Sequence, residues 1–256
     1  AGGQYVLVAN YGGGSVAILP TKDDGALLEA SDFIQHEGSS VNPNRQQEPH
    51  AHSIMIAPNN LYAYAPDLGM DKIMIYNIDL EKGKLQPNSQ PFQSVEPGQG
   101  PRHFDFHPNN KFAFVINEIG NTIVSYDYNT DSGTLKPTGS VPTLPAEFTG
   151  TSHTADIHVH PNGKFLYGSN RGHDSLVICA IDQNTGQLNV VEHVPTGGRN
   201  PRNFGIDPSG SFLLAANQDT GDIHTFKINP ETGSLTSTGE VAHVPRPVCI
   251  KFASVS

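Results

Sequence analysis

The chain has no tryptophan, two cysteines and three methionines in 256 residues. It also lacks any apolar run of about eighteen residues, so no segment reads as a membrane-spanning helix. Basic residues are scarce: 15 Lys and Arg stand against 25 Asp and Glu, a formal charge of −10. A nucleic-acid binder needs a basic stripe to displace counterions from phosphates, and this balance argues against that class. Small anionic ligands stay open, because a few local arginines outweigh a diffuse negative surface at short range. No Gly-rich phosphate loop, Walker-type loop or Gly-x-Ser-x-Gly elbow follows a strand and opens a helix. Cys179 and Cys249 fall inside apolar strand patterns and read as buried free thiols. Ala1-Gly2-Gly3 runs straight into a strand pattern without an initiator Met or a leader, which points to a trimmed leader or a longer parent chain.

What is abundant is Gly (26) and Pro (20). Gly supplies positive φ and Pro presets turn geometry, so this is the composition of many short strands joined by tight turns. An Asp/Asn/Glu-x-Gly-x-Leu turn recurs around Gly25, Gly83, Gly133, Gly186 and Gly233, at spacings of 58, 50, 53 and 47 residues. A second marker recurs at Pro58, Pro108, Pro161 and Pro208, where a strand pattern ends in Pro-Asn-Asn, Pro-Asn-Gly or Pro-Ser-Gly. Between the markers lie two alternating apolar segments per repeat, for example Phe165 to Gly168 and Leu176 to Ile181. Four strands at a period near fifty predict an all-β propeller with five blade repeats in a single domain, residues 1–256. The blades span about 49–100, 101–152, 153–200 and 201–244, with a fifth made of 1–48 plus 245–254. Pro245 to Phe252 resembles an inner strand with nothing after it, so ring closure on the N-terminal blade is expected.

Repeats serve as an internal control: a residue kept in every repeat is structural, and a polar residue that varies is a functional candidate. Asn10, Asp67, Asn117, Asn170 and Asn217 are equivalent and read as turn-supporting residues. The next positions are Tyr11, Leu68, Glu118, Arg171 and Gln218, a set with no common structural chemistry. At the start of the inner strand the equivalents are His52, Arg102, Ala155, Arg202 and Arg246, followed by Ser53, His103, Asp156, Asn203 and Pro247. Arginines converging on one rim need carboxylates or a bound anion; Glu118 and Asp156 neutralising them in a purely structural network is the competing reading. His158 and His160 lie on one face of a strand, but a pair without a third ligand predicts no metal site. His107 and His160, just before the turn Pro, are expected to face outward, and His36, His193 and His243 look incidental.

Pro49-His50-Ala51-His52-Ser53, Gly100-Pro101-Arg102-His103-Phe104, Val115-Ile116-Asn117-Glu118, Ala155-Asp156-Ile157-His158, Gly168-Ser169-Asn170-Arg171 and Pro201-Arg202-Asn203-Phe204 occur in this order at blade spacing. Together they resemble the lactonase family of propellers, which includes 6-phosphogluconolactonases and carboxymuconate lactonizing enzymes. The resemblance covers essentially the whole chain and implies cofactor-free opening of a small anionic lactone, with 6-phosphogluconolactone the leading substrate. A muconate-type cycloisomerase, or a non-catalytic propeller that binds a sugar acid, are the alternatives. The catalytic set it implies is His52, Arg102, Glu118 and Arg171, with His103, Asp156, Arg202, Asn203 and Gln218 expected at the substrate. Family members have seven blades, so the resemblance implies that this sequence, with five, lacks the first two. A monomer or weak homo-oligomer is expected; sugar metabolism favours the cytoplasm, and an exported mature form remains compatible.

Overall fold

The computed structural model describes residues 3–253, which form 19 β-strands and no helix. The first sheet has three strands, β1 (Tyr5–Asn10), β2 (Ser15–Pro20) and β3 (Asp32–Gln35). The second runs β4 (Met55–Ile56), β5 (Tyr62–Asp67), β6 (Lys72–Asp79) and β7 (Lys84–Ser94). The third comprises β8 (Pro101–Phe106), β9 (Phe112–Asn117), β10 (Thr122–Tyr128) and β11 (Leu135–Pro142). The fourth comprises β12 (His153–Val159), β13 (Phe165–Arg171), β14 (Ser175–Ile181) and β15 (Leu188–Pro195). The fifth is β16 (Pro201–Ile206), β17 (Phe212–Asn217), β18 (Asp222–Ile228) and β19 (Leu235–His243). Strands follow one another in chain order within each sheet, and neighbours pair antiparallel, as in β16–β17–β18–β19. Contacts divide the fold into two compact units. The first holds residues up to Phe106 with Asn110–Gly120 and Tyr126–Pro137, and the second holds His107–Asn109, Asn121–Ser125 and the residues from Thr138 onward.

Period-2 alternation builds the cores. In the second unit Phe165 and Tyr167 of β13, Leu176 and Ile178 of β14, Phe204 of β16 and Leu213 and Ala215 of β17 form one buried cluster. In the first unit Val16, Ile18, Ala51, Ala63, Ala65 and Tyr76 do the same. The other face of β5 presents Tyr64, which stacks on Phe104 at 5.0 Å and meets Phe106 and Tyr128 edge-on. Each aromatic side chain buried this way contributes on the order of 2–3 kcal/mol.

The recurrent turn residues lock one sheet to the next. Tyr64 Oη donates to the Gly133 carbonyl at 2.6 Å, and Tyr167 Oη donates to the Gly233 carbonyl at 2.8 Å. A Cβ on Gly133 or Gly233 would come within 2.5 Å of the Tyr62 or Phe165 ring, so these turns need glycine for room as well as for φ near +70°. His107 and His160 are buried, contrary to the outward position expected of them. Their Nε2 atoms donate to the carbonyls of Gly163 and Gly210, both at 2.8 Å, and their Nδ1 atoms accept from Asn109 and Asn162 N–H. His36 is not incidental either: it is buried between Asp67, at 2.6 Å, and the Tyr76 hydroxyl, at 2.8 Å. Cys179 is buried, which pushes its thiol up to about 12, whereas Cys249 is exposed.

The closing strand expected from Pro245 to Phe252 is not formed. Pro245 and Pro247 have no N–H for a ladder, and Arg246 between them sits at φ 50°, off any extended conformation. Ile250 N–H donates to Asn203 Oδ1 at 2.6 Å, and Ile250 and Phe252 lie against Gly205. The segment therefore packs on the fifth sheet.

Candidate active site

In the first unit, the candidate residues stand where β8 begins and β9 ends. Pro101 pairs with Asn117 and His103 with Ile116, so Arg102 is the extra residue of a β-bulge. A bulge bends the strand and re-aims one side chain; here it turns Arg102 inward, where 2% of it is exposed. Arg102 Nε donates to Glu118 Oε2 at 2.9 Å, and Glu118 is pinned in turn by its own N–H, bonded to the Gly100 carbonyl at 2.7 Å. His52 follows the buried Ala51 and its N–H donates to the Pro66 carbonyl at 2.9 Å, which places Nε2 4.0 Å from the same carboxylate oxygen. His103 contacts Arg102 at 3.2 Å and lies edge-on to His52 at 5.2 Å.

One member of this cluster carried no signal in the repeats. Arg45 Nη2 donates to Glu118 Oε1 at 2.6 Å and reaches the Tyr11 hydroxyl at 3.3 Å. Desolvation works against its charge, but the bonds to Glu118 and Tyr11 outweigh that and raise its pKa above the ordinary arginine value. Its loop is held by the fully buried Gln46, whose amide donates to the Leu68 carbonyl at 2.8 Å. The Tyr11 ring stacks on His50 at 4.5 Å and meets His52 edge-on at 5.3 Å. Asp67, bonded to His36, also accepts the His50 N–H at 2.7 Å and so fixes the chain two residues before His52. The result is a carboxylate bracketed by two guanidiniums, with an imidazole beside it and a second imidazole at its edge.

In the second unit, Arg171 ends β13 and its Nη2 donates to the Thr154 carbonyl at 2.8 Å. It lines a cavity of about 670 Å³ with Thr151, His153, Asp174, Arg199, Asn200 and Asp219. Asp156 and Asn203, expected at the substrate, are bonded to each other. Asp156 also accepts from Phe204 N–H and His158, and Asn203 accepts the Ile250 N–H. Their polar atoms are thus engaged in holding β12, β16 and the C-terminal segment together. Arg202 and Gln218 occupy the same bulge and strand-end positions as Arg102 and Glu118.

The whole pattern matches a family model described as a lactonase with a seven-bladed β-propeller, over residues 1–252. The chain belongs to this lactonase family. It is 39% identical to a 6-phosphogluconolactonase of Bacillus subtilis, over 97% of this chain and 70% of that protein. Against a 6-phosphogluconolactonase of Formosa agariphila the identity is 36%, over 91% of this chain and 66% of the relative. Among solved structures, the periplasmic gluconolactonase of Pseudomonas aeruginosa superposes with a TM-score of 0.92 at 34% identity, covering 99% of this chain and 71% of that one. The chain therefore spans about two thirds to seven tenths of the length of these lactonase relatives. Its fold is an all-β propeller whose described residues form five sheets.

Proposed function

We propose that this lactonase opens the ring ester of a sugar-acid lactone with water, and that 6-phosphogluconolactone is the leading substrate. The observation that carries this reading is the Glu118 carboxylate, 2.6 Å from Arg45 Nη2 and 2.9 Å from Arg102 Nε, with His52 Nε2 at 4.0 Å. Both carboxylate oxygens already accept from guanidiniums, which favours His52 as the group that takes the proton from water. Glu118 then offsets the imidazolium and holds both arginines in place. The water oxygen bonds to the lactone carbonyl carbon, and the negative charge that moves to the carbonyl oxygen faces the buried cation of Arg102. The ring C–O bond breaks as the tetrahedral centre collapses, and His52 returns the proton to the leaving alkoxide. The product is the open-chain hydroxy acid. The names of the relatives, 6-phosphogluconolactonase and gluconolactonase, support hydrolysis over lactone formation from a muconate.

The test is the rate of opening of 6-phosphogluconolactone above its spontaneous rate. Glu118→Gln is expected to lower kcat/KM by about 10²–10³-fold, since it removes the countercharge of the imidazolium and loosens two guanidiniums. Turnover unchanged in that variant would dismiss the assigned chemistry, and conversion of a muconate dicarboxylate alone would reassign the reaction.

A further inference from the structure

We infer that His36 is a positioning residue for His52 and acts on it through Asp67; the inference rests on the lactonase chemistry proposed above. Elsewhere in the fold, the N–H that leads into an inner strand is held by a carboxylate of the preceding sheet. Gly100 N–H donates to Asp71 Oδ1 at 2.7 Å, and Asn200 N–H donates to Asp174 Oδ1 at 2.8 Å. Asp71 and Asp174 stand at φ 54° and 55°, and their counterpart in the first sheet is Gly14, at φ 58°. A carboxylate does not fit there, because a Cβ on Gly14 would lie 2.6 Å from the Pro49 carbonyl oxygen. The brace before His52 comes instead from its own sheet. Asp67 Oδ1 accepts the N–H groups of His50, at 2.7 Å, and Gly69, at 3.0 Å.

This brace depends on a second side chain. Asp67 is fully buried, and its other oxygen accepts from His36 Nδ1 at 2.6 Å, while His36 Nε2 faces the Tyr76 hydroxyl at 2.8 Å. In the fourth and fifth sheets the places of Asp67 are taken by Asn170 and Asn217, and those of His36 by Thr143 and Thr196. There the amide donates to the threonine's backbone carbonyl, at 2.8 and 3.3 Å. Its Oδ1 has no partner among the described residues, so it holds no inner strand. Only before His52 do a carboxylate and an imidazole stand in this pair of positions. A buried carboxylate needs donors on both oxygens, and His36 supplies the second. It fixes the plane of Asp67 and hence the His50 N–H. Two residues on, that sets the His52 ring, whose Nε2 stands 4.0 Å from Glu118. A displacement of about 1 Å at such a group costs about 100-fold in rate.

Two substitutions separate the nitrogens of His36, since an Asn amide reaches the place of Nδ1 and a Gln amide that of Nε2. His36→Asn keeps the donor to Asp67 and is expected to hold kcat for 6-phosphogluconolactone within about threefold of the parent. His36→Gln keeps only the Tyr76 contact and is expected to lower kcat by about tenfold or more, with KM within about twofold. The double variant His36→Thr, Asp67→Asn copies the pair of the fourth sheet without leaving a buried charge, and should lose kcat as His36→Gln does. The imidazole resonances of His52 report the displacement without substrate, because the Tyr11 and His103 rings lie edge-on to it at 5.3 and 5.2 Å. They should move in the Gln and double variants and stay in place in His36→Asn. Equal kcat in the Asn and Gln variants, a loss carried by KM alone, or parent-like His52 resonances in the Gln and double variants would overturn the inference. A parent chain that opens no lactone but shows this pattern of resonances loses the hydrolase reading and keeps His36 as the residue that places His52. An active parent without the pattern does the reverse.

Discussion

The two ends of each sheet meet different physical demands. At one end lie the turns after β4, β8, β12 and β16, where His107 and His160 bond the next sheet's glycine carbonyl at one common distance, 2.8 Å. At the other end the strands that follow those turns, β9, β13 and β17, finish in Glu118, Arg171 and Gln218, whose head groups differ: Glu118 holds Arg102, Arg171 donates to the Thr154 carbonyl, and Gln218 Oε1 is buried without a partner. Repetition marks the end where sheets are latched together, and variation marks the end where chemistry is placed. A latch works only if its donor, acceptor and glycine recur. A site works only if its members differ, since five identical arginines on one rim would repel without binding anything in particular.

That contrast is most easily broken at the latched end. His160→Ala removes a buried donor to the Gly210 carbonyl, leaves that carbonyl unsatisfied and opens a cavity beside Tyr167. The expected loss is about 2–3 kcal/mol of stability, or roughly 5–10 °C in Tm for a chain of this size. The kcat for lactone opening is expected to stay within about twofold of the parent. Thermal unfolding followed by circular dichroism, paired with the lactonase assay on the surviving fold, checks both halves. A fall in kcat without a fall in Tm would mean the two ends are not separable.

A smaller effect separates the two reasons for glycine in the Gly-x-Leu turn. Gly25 and Gly233 both have positive φ, at 83° and 74°. A Cβ on Gly25 meets nothing within 4 Å, whereas on Gly233 it lands 2.5 Å from the Phe165 ring. Gly25→Ala should therefore cost only the backbone strain, about 1 kcal/mol. Gly233→Ala adds the displacement of a buried aromatic, for about 2–3 kcal/mol in all. Denaturant midpoints of the two variants measure the seam contact by difference; equal midpoints would remove the ring from the explanation.

The turns of the latched end are largely legible in the sequence, and the reason is redundancy. Each turn glycine, turn proline and strand pattern appears four or five times, so chance matches cancel. Glu118 was legible as well, because it broke a pattern whose other members were visible. Arg45 was not, since it stands in the loop between β3 and β4, which has no counterpart in the other repeats. The inward turn of His107 and His160 was missed for a different reason. Alternation along a strand predicts a face only while the strand lasts, and both residues lie just past it, where the turn swings the ring toward the next sheet. The closing strand failed on backbone chemistry that alternation ignores, two prolines flanking a residue in left-handed conformation.

The smallest expected effect is a pH dependence, and the repeats supply its control. Asp79, Asn129, Asp182 and Asn229 hold one equivalent place, each accepting two backbone N–H groups of the following Gly turn through Oδ1. The geometry is shared, but only the two aspartates titrate. The Lys82 N–H lowers the pKa of Asp79, and the Asn184 and Thr185 N–H groups lower that of Asp182. A carboxylate with a depressed folded-state pKa contributes stability above its unfolded pKa, near 4, and loses it as pH falls through the folded value. Asparagine keeps the acceptor and has nothing to protonate. The Asp79→Asn, Asp182→Asn double variant should therefore fall below the parent in Tm at pH 7 by a degree or two at most, roughly. It should converge with the parent, or pass it, as pH drops from about 4 to 2. Parallel Tm curves across that range would show that the carboxylates act in these turns as acceptors only, no differently from the asparagines of the other two blades.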